Sequence, residues 1–362
     1  MKIGIVGLPY VGKTSIFNAL TQSEAETGRY TAQKGLNIGS VKVPDERLAA
    51  LIPILSPEKV TSTSIDYVDV AGVSQRDVER GDLETEVISE LRGVDALAHV
   101  VRVFEDDLVP HVDGNVDTKR DIETVDIALT FADLQIIDKR LHRLRQELRT
   151  QKVPALVHEQ AVLERCKAAL EGNIALREIE FAPEDEKAIR GYGFVTQKPL
   201  LLILNIGEDQ LDQAKERGTT FEEYTQKPWT EIITFSAKLE MEITQLEAED
   251  AAIFRAEMGL DESALTRVIH ASYHLLGLIT FFTVVSGELR AWTLKQGMTA
   301  LDAAGVIHTD LARGFIRAET IHWSDLVECG SLATAREKGL LRLEGKDYAV
   351  RDGDVLTIRF NV

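Results

Sequence analysis

The chain has 362 residues, with 41 Lys and Arg against 59 Asp and Glu, and a formal net charge of −18 at pH 7. This acidity argues against a nucleic-acid binder that works through its whole surface, because phosphate contacts need clustered Lys and Arg. It leaves room for a local basic patch. The length exceeds one ordinary hydrophobic core, so we expect two or three domains.

Hydrophobic patterning argues against export and membrane insertion. The sequence has no run of eighteen apolar residues, and its N-terminal MKIGIVG enters a strand instead of a signal-peptide core. Cys166 and Cys329 lie far apart, which gives neither a disulfide framework nor zinc-ligand spacing. We therefore expect a cytoplasmic, monomeric protein with reduced cysteines and no membrane partner.

The stretch GLPYVGKT, residues 7–14, is a complete Walker A loop between the apolar run 3–6 and a helix-like run from Ser15. In such loops the glycines let backbone N–H groups converge on phosphate oxygens, the lysine adds positive charge and the hydroxyl ligates magnesium. The helix that follows aims its N-terminal dipole at the same anion. The predicted nucleotide-binding residues here are Gly7, Leu8, Pro9, Tyr10, Val11, Gly12, Lys13, Thr14 and Ser15.

A strand predicted at residues 65–70 leads into a DxxG pattern, Asp69 to Gly72. An aspartate at such a strand end faces the phosphates and holds magnesium through water, while the glycine N–H can sense the γ-phosphate. A bare DxxG is usually a turn, and its position after a Walker A loop favours a functional role. We predict Thr14 and Asp69 as magnesium ligands and Gly72 as a nucleotide contact.

The middle of the chain predicts a helix at 83–92, a buried parallel strand at 96–103 and an acidic loop at 104–114. A coiled-coil seam then alternates steps of four and three through Ile127, Phe131, Leu134, Ile137, Leu141, Leu144 and Leu148. After a break at 151–154, a second seam consists of Leu156, Leu163, Cys166 and Leu170. Two such helices most simply form an antiparallel hairpin, with Cys166 as a small core residue.

Basic residues concentrate on the outer face of the first hairpin helix. They are Lys139, Arg140, His142, Arg143, Arg145, Arg149 and Lys152. A solvated coiled-coil face and an RNA-contacting patch both fit this pattern, and local positive charge in so acidic a chain slightly favours the second interpretation.

Two further strands, at 199–204 and 232–235, are followed by the tetrapeptide NIGE at 205–208 and by SAK at 236–238. These look like the NKxD and SAK base-recognition corners of P-loop GTPases. In NKxD the aspartate pairs with two guanine N–H groups, but here Ile206 replaces the lysine and the longer Glu208 replaces the aspartate. Guanine loses its bidentate partner, and the change favours a purine such as adenine. The predicted base-corner residues are Asn205, Ile206, Glu208, Ser236, Ala237 and Lys238.

From about Thr280, short strands and a helix at 300–304 predict a small mixed α+β domain. Its dispersed polar residues Glu319, His322 and Asp325 are interpreted as surface residues and not as a catalytic site.

Together these motifs resemble the Obg-like ATPases, the YchF group of translation-factor-related P-loop proteins, over essentially the whole chain. The P-loop, the acidic loop FEDDLVPHVDGNVD, the NxxE signature at 205–208 and SAKLEMEI all match. The C-terminal stretches ELRAWTLKQG and LRLEGKDYAVRDGDVLTIRFNV look like the family's TGS domain and its approach.

The resemblance implies an α/β fold with a P-loop GTPase-like, mostly parallel sheet, an inserted α-helical coiled-coil hairpin and a C-terminal ubiquitin-like (β-grasp) TGS domain. The implied domains are 1–126 for the first part of the G domain, 127–193 for the helical insert, 194–278 for the second part of the G domain and 279–362 for the TGS domain.

The resemblance also implies hydrolysis of ATP in preference to GTP with Mg²⁺, and association with the ribosome or RNA through the hairpin, the TGS domain or both. Relatives carry an apolar residue where GTPases have a catalytic glutamine, and Val73 matches that pattern. The family's proposed substitute is a mobile histidine in the acidic loop, which falls on His111. The expected catalytic residues are therefore His111 and Lys13.

Three departures from the family bear on the rate. Tyr10 stands where relatives usually have an asparagine that can help bind potassium, Gln33 stands where they have a switch threonine, and residues 74–82 replace a glycine-rich second switch. We expect nucleotide binding to survive better than fast hydrolysis, in a slow ATPase that acts as a nucleotide switch. The alternatives are a nucleotide-binding regulatory module with little or no hydrolysis, and a conventional GTPase.

Overall fold

The computed structural model describes residues 1–22, 37–70, 72, 85–151, 153–213, 221–260 and 262–361. The chain forms two compact units, one of Met1–Val41 with Asp66–Val268 and one of Lys42–Ile65 with Ile269–Val362. Gln33, Val73 and the predicted second-switch residues 74–82 lie outside the described residues. No helix in the described ranges is long and apolar enough to cross a membrane.

The strands are β1 (Lys2–Val6), β2 (Asn37–Lys42), β3 (Lys59–Thr61), β4 (Ser64–Asp69), β5 (Ala96–Arg102), β6 (Leu200–Asn205), β7 (Thr230–Phe235), β8 (Leu278–Val285), β9 (Glu288–Lys295), β10 (Phe315–His322), β11 (Arg342–Glu344) and β12 (Asp354–Phe360). The helices are α1 (Lys13–Thr21), α2 (Glu46–Leu55), α3 (Thr85–Arg92), α4 (Thr118–Thr150), α5 (Pro154–Glu171), α6 (Pro183–Ile189), α7 (Glu222–Thr225), α8 (Ala237–Thr244), α9 (Ala248–Glu257), α10 (Ala264–Leu275), α11 (Ala300–Ile307), α12 (Thr309–Arg313), α13 (Trp323–Cys329) and α14 (Leu332–Glu337).

The first unit is built on a six-stranded sheet in the order β2-β4-β1-β5-β6-β7. The pairs from β4 to β7 are parallel, which confirms the predicted α/β class and the mostly parallel sheet. Every residue of β5 and β6 is buried, as expected for central strands covered on both faces. Because parallel strands end at one edge, the segments after β1, β4, β6 and β7 meet there.

Helices α4 and α5 form the predicted antiparallel hairpin. Its core contains buried Ile137, Leu141, Leu163 and Cys166. Burial raises the pKa of the Cys166 thiol to about 11, which fits its predicted role as a core residue. Asp117 starts α4 by accepting a hydrogen bond from the Arg120 N–H at 3.1 Å.

The predicted seam of α4 is wrong at its N-terminal end. Ile127 and Phe131 are each 43% exposed, whereas Ile122 is fully buried. This part of the helix packs on the parallel sheet, where Ile122 shares a cluster with Val101. The face of α4 that is buried against the sheet therefore differs from the face that packs on α5 from Ile137 onwards.

The predicted basic face is also interrupted. Arg140 turns inward and its guanidinium donates to both carboxylate oxygens of Glu159 at 2.8 Å. Lys139, Arg143 and Arg149 are exposed, and no described acidic residue lies within 4.0 Å of their charged groups.

The second unit contains a sheet in the order β11-β10-β12-β8-β9-β3. Pairs β8/β9 and β10/β12 are antiparallel, whereas β12/β8 and β3/β9 are parallel. Leu48 and Leu51 of α2 are buried with Phe282 and Leu289, so residues 42–65 belong to this hydrophobic core. Glu319 pairs with Arg336 and Arg359 on this unit.

Candidate nucleotide-binding site

The loop between β1 and α1 depends on backbone angles that favour glycine. Gly7 has φ 153° and Gly12 has φ 98°. A Cβ on Gly7 would lie 2.4 Å from the Val100 carbonyl oxygen, and one on Gly12 would lie 2.4 Å from Nδ2 of Asn205. Tyr10 also takes a left-handed conformation, with φ 63°. The loop is thus fixed against its neighbours and leads directly into the N-terminus of α1.

Lys13 is the buried cation of this site. Its Nζ donates hydrogen bonds to the carbonyl oxygens of Gly7 at 3.2 Å and Leu8 at 2.8 Å. Burial lowers the pKa of Lys13 to about 8, although the nearby Asp69 carboxylate acts in the opposite direction. Carbonyl dipoles neutralise a buried ammonium only in part, so an incoming phosphate would be a stronger partner.

Thr14 and Asp69 bring two hard oxygen donors together beside Lys13. The Thr14 hydroxyl donates to Asp69 Oδ2 at 2.9 Å. Burial raises the pKa of Asp69, and the bond from Thr14 and the charge of Lys13 oppose that shift. A hydroxyl and a carboxylate fit the ligand preference of Mg²⁺. Gly72 is close by, since a Cβ there would lie 3.0 Å from Lys13 Nζ.

Asn205, at the end of β6, connects the phosphate loop to the SAK corner. Its Nδ2 donates to the Val11 carbonyl and its Oδ1 accepts from the Ala237 N–H, both at 2.9 Å. Ser236 caps α8 by accepting from the Leu239 N–H at 3.4 Å. The buried Asn205 amide therefore holds two parts of the site in register.

The altered base corner ends in an ion pair. Ile206 is buried in the hydrophobic core, as is usual for a large apolar side chain. Glu208 begins a short 3₁₀ turn, and its Oε1 lies 2.9 Å from Lys238 Nζ. Hydrogen bonding to Glu208 raises the pKa of Lys238.

A cavity of about 970 Å³ joins these parts. Its lining includes Tyr10, Gly12, Lys13, Thr14, Ser15, Asn205, Ile206, Glu208, Ser236, Ala237 and Lys238 from the predicted set. Seven further predicted residues, described by the structure, lie outside the lining: Gly7, Leu8, Pro9, Val11, Asp69, Gly72 and His111. The volume is at the upper end of the range for small-molecule sites.

The acidic loop also lines the cavity, through residues that were not predicted as site residues. Phe104, Asp106 and Pro110 are among its contributions. Arg102, at the end of β5, fixes this loop by donating to four backbone carbonyls, those of Phe104, Asp106, Val109 and Pro110, at 3.0 to 3.3 Å. The sequence offered one signal for this contact, namely an arginine at the end of a mostly apolar strand and just before an acidic loop.

His111 belongs to the same loop but does not line the cavity. Its side chain is 5% exposed, and Nε2 lies 2.9 Å from Asp121 Oδ2. Nδ1 accepts from the Asp113 N–H at 3.1 Å, which places the ring proton on Nε2. Arg120 lies beside both carboxylates, 2.9 Å from Asp121 and 3.7 Å from Asp113. The guanidinium supplies the positive charge that a metal ion would bring to this cluster.

Comparisons with known proteins agree with this geometry. The family profile described as "50S ribosome-binding GTPase" matches residues 2–160, and the YchF-GTPase C-terminal profile, described as a protein of unknown function, matches residues 278–361. The ribosome-binding ATPase YchF of Bacillus subtilis is 43% identical over 99% of both chains. Its counterpart from Escherichia coli O157:H7 is 39% identical over 100% of this chain and 99% of its own.

A solved structure extends the likeness to three dimensions. The YchF GTPase of Schizosaccharomyces pombe aligns with a TM-score of 0.84 at 28% identity, covering 99% of this chain and 97% of that one. The predicted P-loop GTPase-like fold, followed by a separate C-terminal domain, is therefore confirmed.

Proposed function

The chain belongs to the YchF family, and from that premise we propose that it is a magnesium-dependent ATPase that switches between nucleotide states on the ribosome. The observation that carries the proposal is the convergence of Lys13, the Thr14–Asp69 pair and the altered base corner around one cavity edge. Relatives that match over nearly their full length carry the name ribosome-binding ATPase.

The chemistry we propose is positioning plus charge neutralisation. The triphosphate would take the place of the Gly7 and Leu8 carbonyls at Lys13, and loop N–H groups would bind the remaining phosphate oxygens. Thr14 and Asp69 would hold Mg²⁺, which supplies neutralisation of the phosphate charge. Gly72 lies beside Lys13, and we propose that its N–H contacts the terminal phosphate.

We propose that the base corner prefers adenine. Ile206 is buried and offers no polar atom, and the Glu208 carboxylate is held by Lys238 beyond it. A guanine would therefore lack the short aspartate that pairs with its two N–H groups. Calorimetry of ATP and GTP with magnesium tests this, and a clear preference for GTP would contradict it and favour the GTPase alternative.

The site assignment is tested by Lys13→Ala. Removing the cation should weaken binding of magnesium and ATP strongly, by at least about 100-fold if the charged contacts are worth about 3 kcal/mol. Lys119→Ala is the matched control, because that lysine is 61% exposed and pairs with Glu223 away from the cavity. Equal affinity in Lys13→Ala and the control would refute the site.

Hydrolysis itself separates the leading function from a regulatory module that binds nucleotide without turnover. We propose that His111 positions the attacking water once it leaves its buried position. In single-turnover assays with excess protein, His111→Ala should abolish hydrolysis and leave ATP affinity intact. A wild-type rate no faster than uncatalysed ATP hydrolysis would favour the binding module.

The proposed partner is the ribosome or its RNA, in the cytoplasm, with the protein acting as a monomer. The support is that the relatives are named ribosome-binding ATPases and that Lys139, Arg143 and Arg149 are exposed on the hairpin. We propose that the hairpin makes the main contact with the ribosome and that the TGS-like second unit makes a minor one.

A further inference from the structure

We propose that Asp121 is a positioning residue that holds His111 away from the nucleotide cavity and so limits the basal rate of hydrolysis. The inference rests on the proposed role of His111 in positioning water. It concerns a residue of α4 that lies outside the cavity lining, and it explains the placement of a histidine with both ring nitrogens engaged.

The hydrogen bonds of the His111 ring leave it no capacity for a water. Nε2 donates to Asp121 Oδ2 at 2.9 Å, and the Nδ1 lone pair accepts from the Asp113 N–H at 3.1 Å. The two side chains are 5% and 1% exposed, so bulk water does not compete for these bonds. A neutral imidazole has one donor and one acceptor, and both are used here.

Asp121 is itself the fixed partner of this pair. Its second oxygen, Oδ1, accepts two hydrogen bonds from Arg120, at 3.1 Å from Nε and 2.9 Å from Nη2. Arg120 is in turn tied to Asn115, through the side-chain oxygen at 3.0 Å and the carbonyl at 2.7 Å. Asp121 also lies in the first turn of α4, where the helix dipole favours a carboxylate. The histidine is therefore the member of the pair that can leave.

The loop before His111 is already in place at the cavity. Pro110 lines it, and Arg102 holds the carbonyls of Val109 and Pro110 at 3.0 and 3.3 Å. Release of His111 therefore needs a rearrangement at residues 111–114, where Gly114 has φ 83° and its N–H donates to the His111 carbonyl at 3.2 Å. The rest of the loop keeps its bonds to Arg102.

The test is single-turnover ATP hydrolysis by the full chain in four variants: Asp121→Ala, Glu123→Ala, His111→Ala and the double variant His111→Ala/Asp121→Ala. Losing one charge-assisted hydrogen bond should raise the share of released His111, so we expect Asp121→Ala to hydrolyse roughly tenfold faster than wild type at unchanged ATP affinity. The matched control is Glu123→Ala, because Glu123 is an exposed carboxylate two residues farther along α4 and does not line the cavity. It should leave the rate unchanged.

The outcomes distinguish failure of this inference from failure of the proposed function. Acceleration in Asp121→Ala that disappears in the double variant supports the inference. If His111→Ala abolishes hydrolysis but Asp121→Ala is no faster than wild type, the inference is overturned while the proposed function stands. If His111→Ala hydrolyses at the wild-type rate, the proposed role of the histidine fails, and acceleration that persists in the double variant also overturns the inference.

A second measurement does not depend on activity. The Nε2 proton of His111, assigned by its absence from His111→Ala spectra, should be protected from solvent exchange in wild type and lose that protection in Asp121→Ala. Asp121→Leu serves if the alanine variant folds poorly, since it fills the space of the side chain and offers no acceptor oxygen. Protection equal to wild type in these Asp121 variants would contradict the inference.

Discussion

Lys13 gives the cavity a charge that depends on pH. Its pKa of about 8 in the folded protein is below the ordinary value because the ammonium is buried. Above that pH the free protein loses the proton, whereas a bound triphosphate would retain it. Affinity for magnesium and ATP should therefore fall as pH rises, by up to about tenfold per unit above pH 8.

Calorimetry at pH 7 and pH 9 checks this dependence on Lys13. The same pair of measurements on Lys13→Arg provides the control, because a guanidinium keeps its charge at both values. Equal wild-type affinity at the two pH values would contradict the assignment of the buried cation to phosphate binding.

Asn205 should act on stability as well as on binding. In Asn205→Ala the Val11 carbonyl and the Ala237 N–H lose their partners in a buried region. Each buried group left without a partner costs up to about 3 kcal/mol of stability. Unfolding by urea should therefore occur at a lower midpoint, and the affinity for ATP should fall as well. Loss of affinity with an unchanged midpoint would mean that Asn205 contacts nucleotide without organising the loop.

The residues of the proposed phosphate site could be predicted because Walker A and DxxG are local patterns with fixed geometry. Thr14 and Asp69 lie within hydrogen-bond distance of each other, as such patterns require. The position of His111 could not be predicted in the same way. It depends on Asp121, whose placement follows from where α4 begins and from the Arg120 contacts.

At the scale of elements, α4 offers a matched pair of substitutions. Ile137 is fully buried in the hairpin core, whereas Ile127 is 43% exposed on the same helix. Ile137→Ala should lower the free energy of unfolding by about 2 to 5 kcal/mol, and Ile127→Ala by less than about 1 kcal/mol. Denaturant titrations of the two variants test the packing. Equal losses of unfolding free energy would contradict the observed packing and support the seam predicted from the sequence.

Most strands and helices could be predicted because their apolar periods are clear, as in β5 and β6, which are buried throughout. The assignment of residues 42–65 to the second unit could not. It depends on pairing of Lys59 with Glu288, and nothing local in the sequence specifies a partner so distant.

For the whole molecule, the question is how so acidic a chain would bind an RNA particle. The net charge of −18 opposes approach, so contact needs cations that are not already neutralised. Arg143 and Arg149 on the hairpin have no acidic partner within the part of the chain that the structure describes, whereas Arg140 pairs with Glu159. The sequence could locate the basic run but not which of its members point inward.

Charge reversal tests the hairpin as the ribosome contact. Arg143→Glu/Arg149→Glu should reduce cosedimentation with ribosomes and flatten its dependence on salt, because fewer counterions are released. Arg313→Glu in the second unit is the control, since that arginine already pairs with Asp310 at 3.6 Å. If the hairpin variant cosedimented with ribosomes like wild type across the salt series, the ribosome contact would lie elsewhere on the protein.

The continuity of α4 has a mechanical consequence. Near its middle, Asp133 is held by the N–H groups of Val195 at 3.0 Å and Thr196 at 2.8 Å, which makes this point a natural pivot. At about 1.5 Å per residue, Asp121 lies about 18 Å on one side of the pivot and Arg149 about 24 Å on the other. A rigid tilt that displaces Arg149 by about 1 Å would displace Asp121 by about 0.75 Å in the opposite direction. Because Asp121 is fixed to α4, it would move with the helix, and such a displacement directed along the 2.9 Å contact with His111 would lengthen that contact beyond the usual hydrogen-bond range. We therefore expect a small movement of the hairpin tip to weaken the hold of Asp121 on His111.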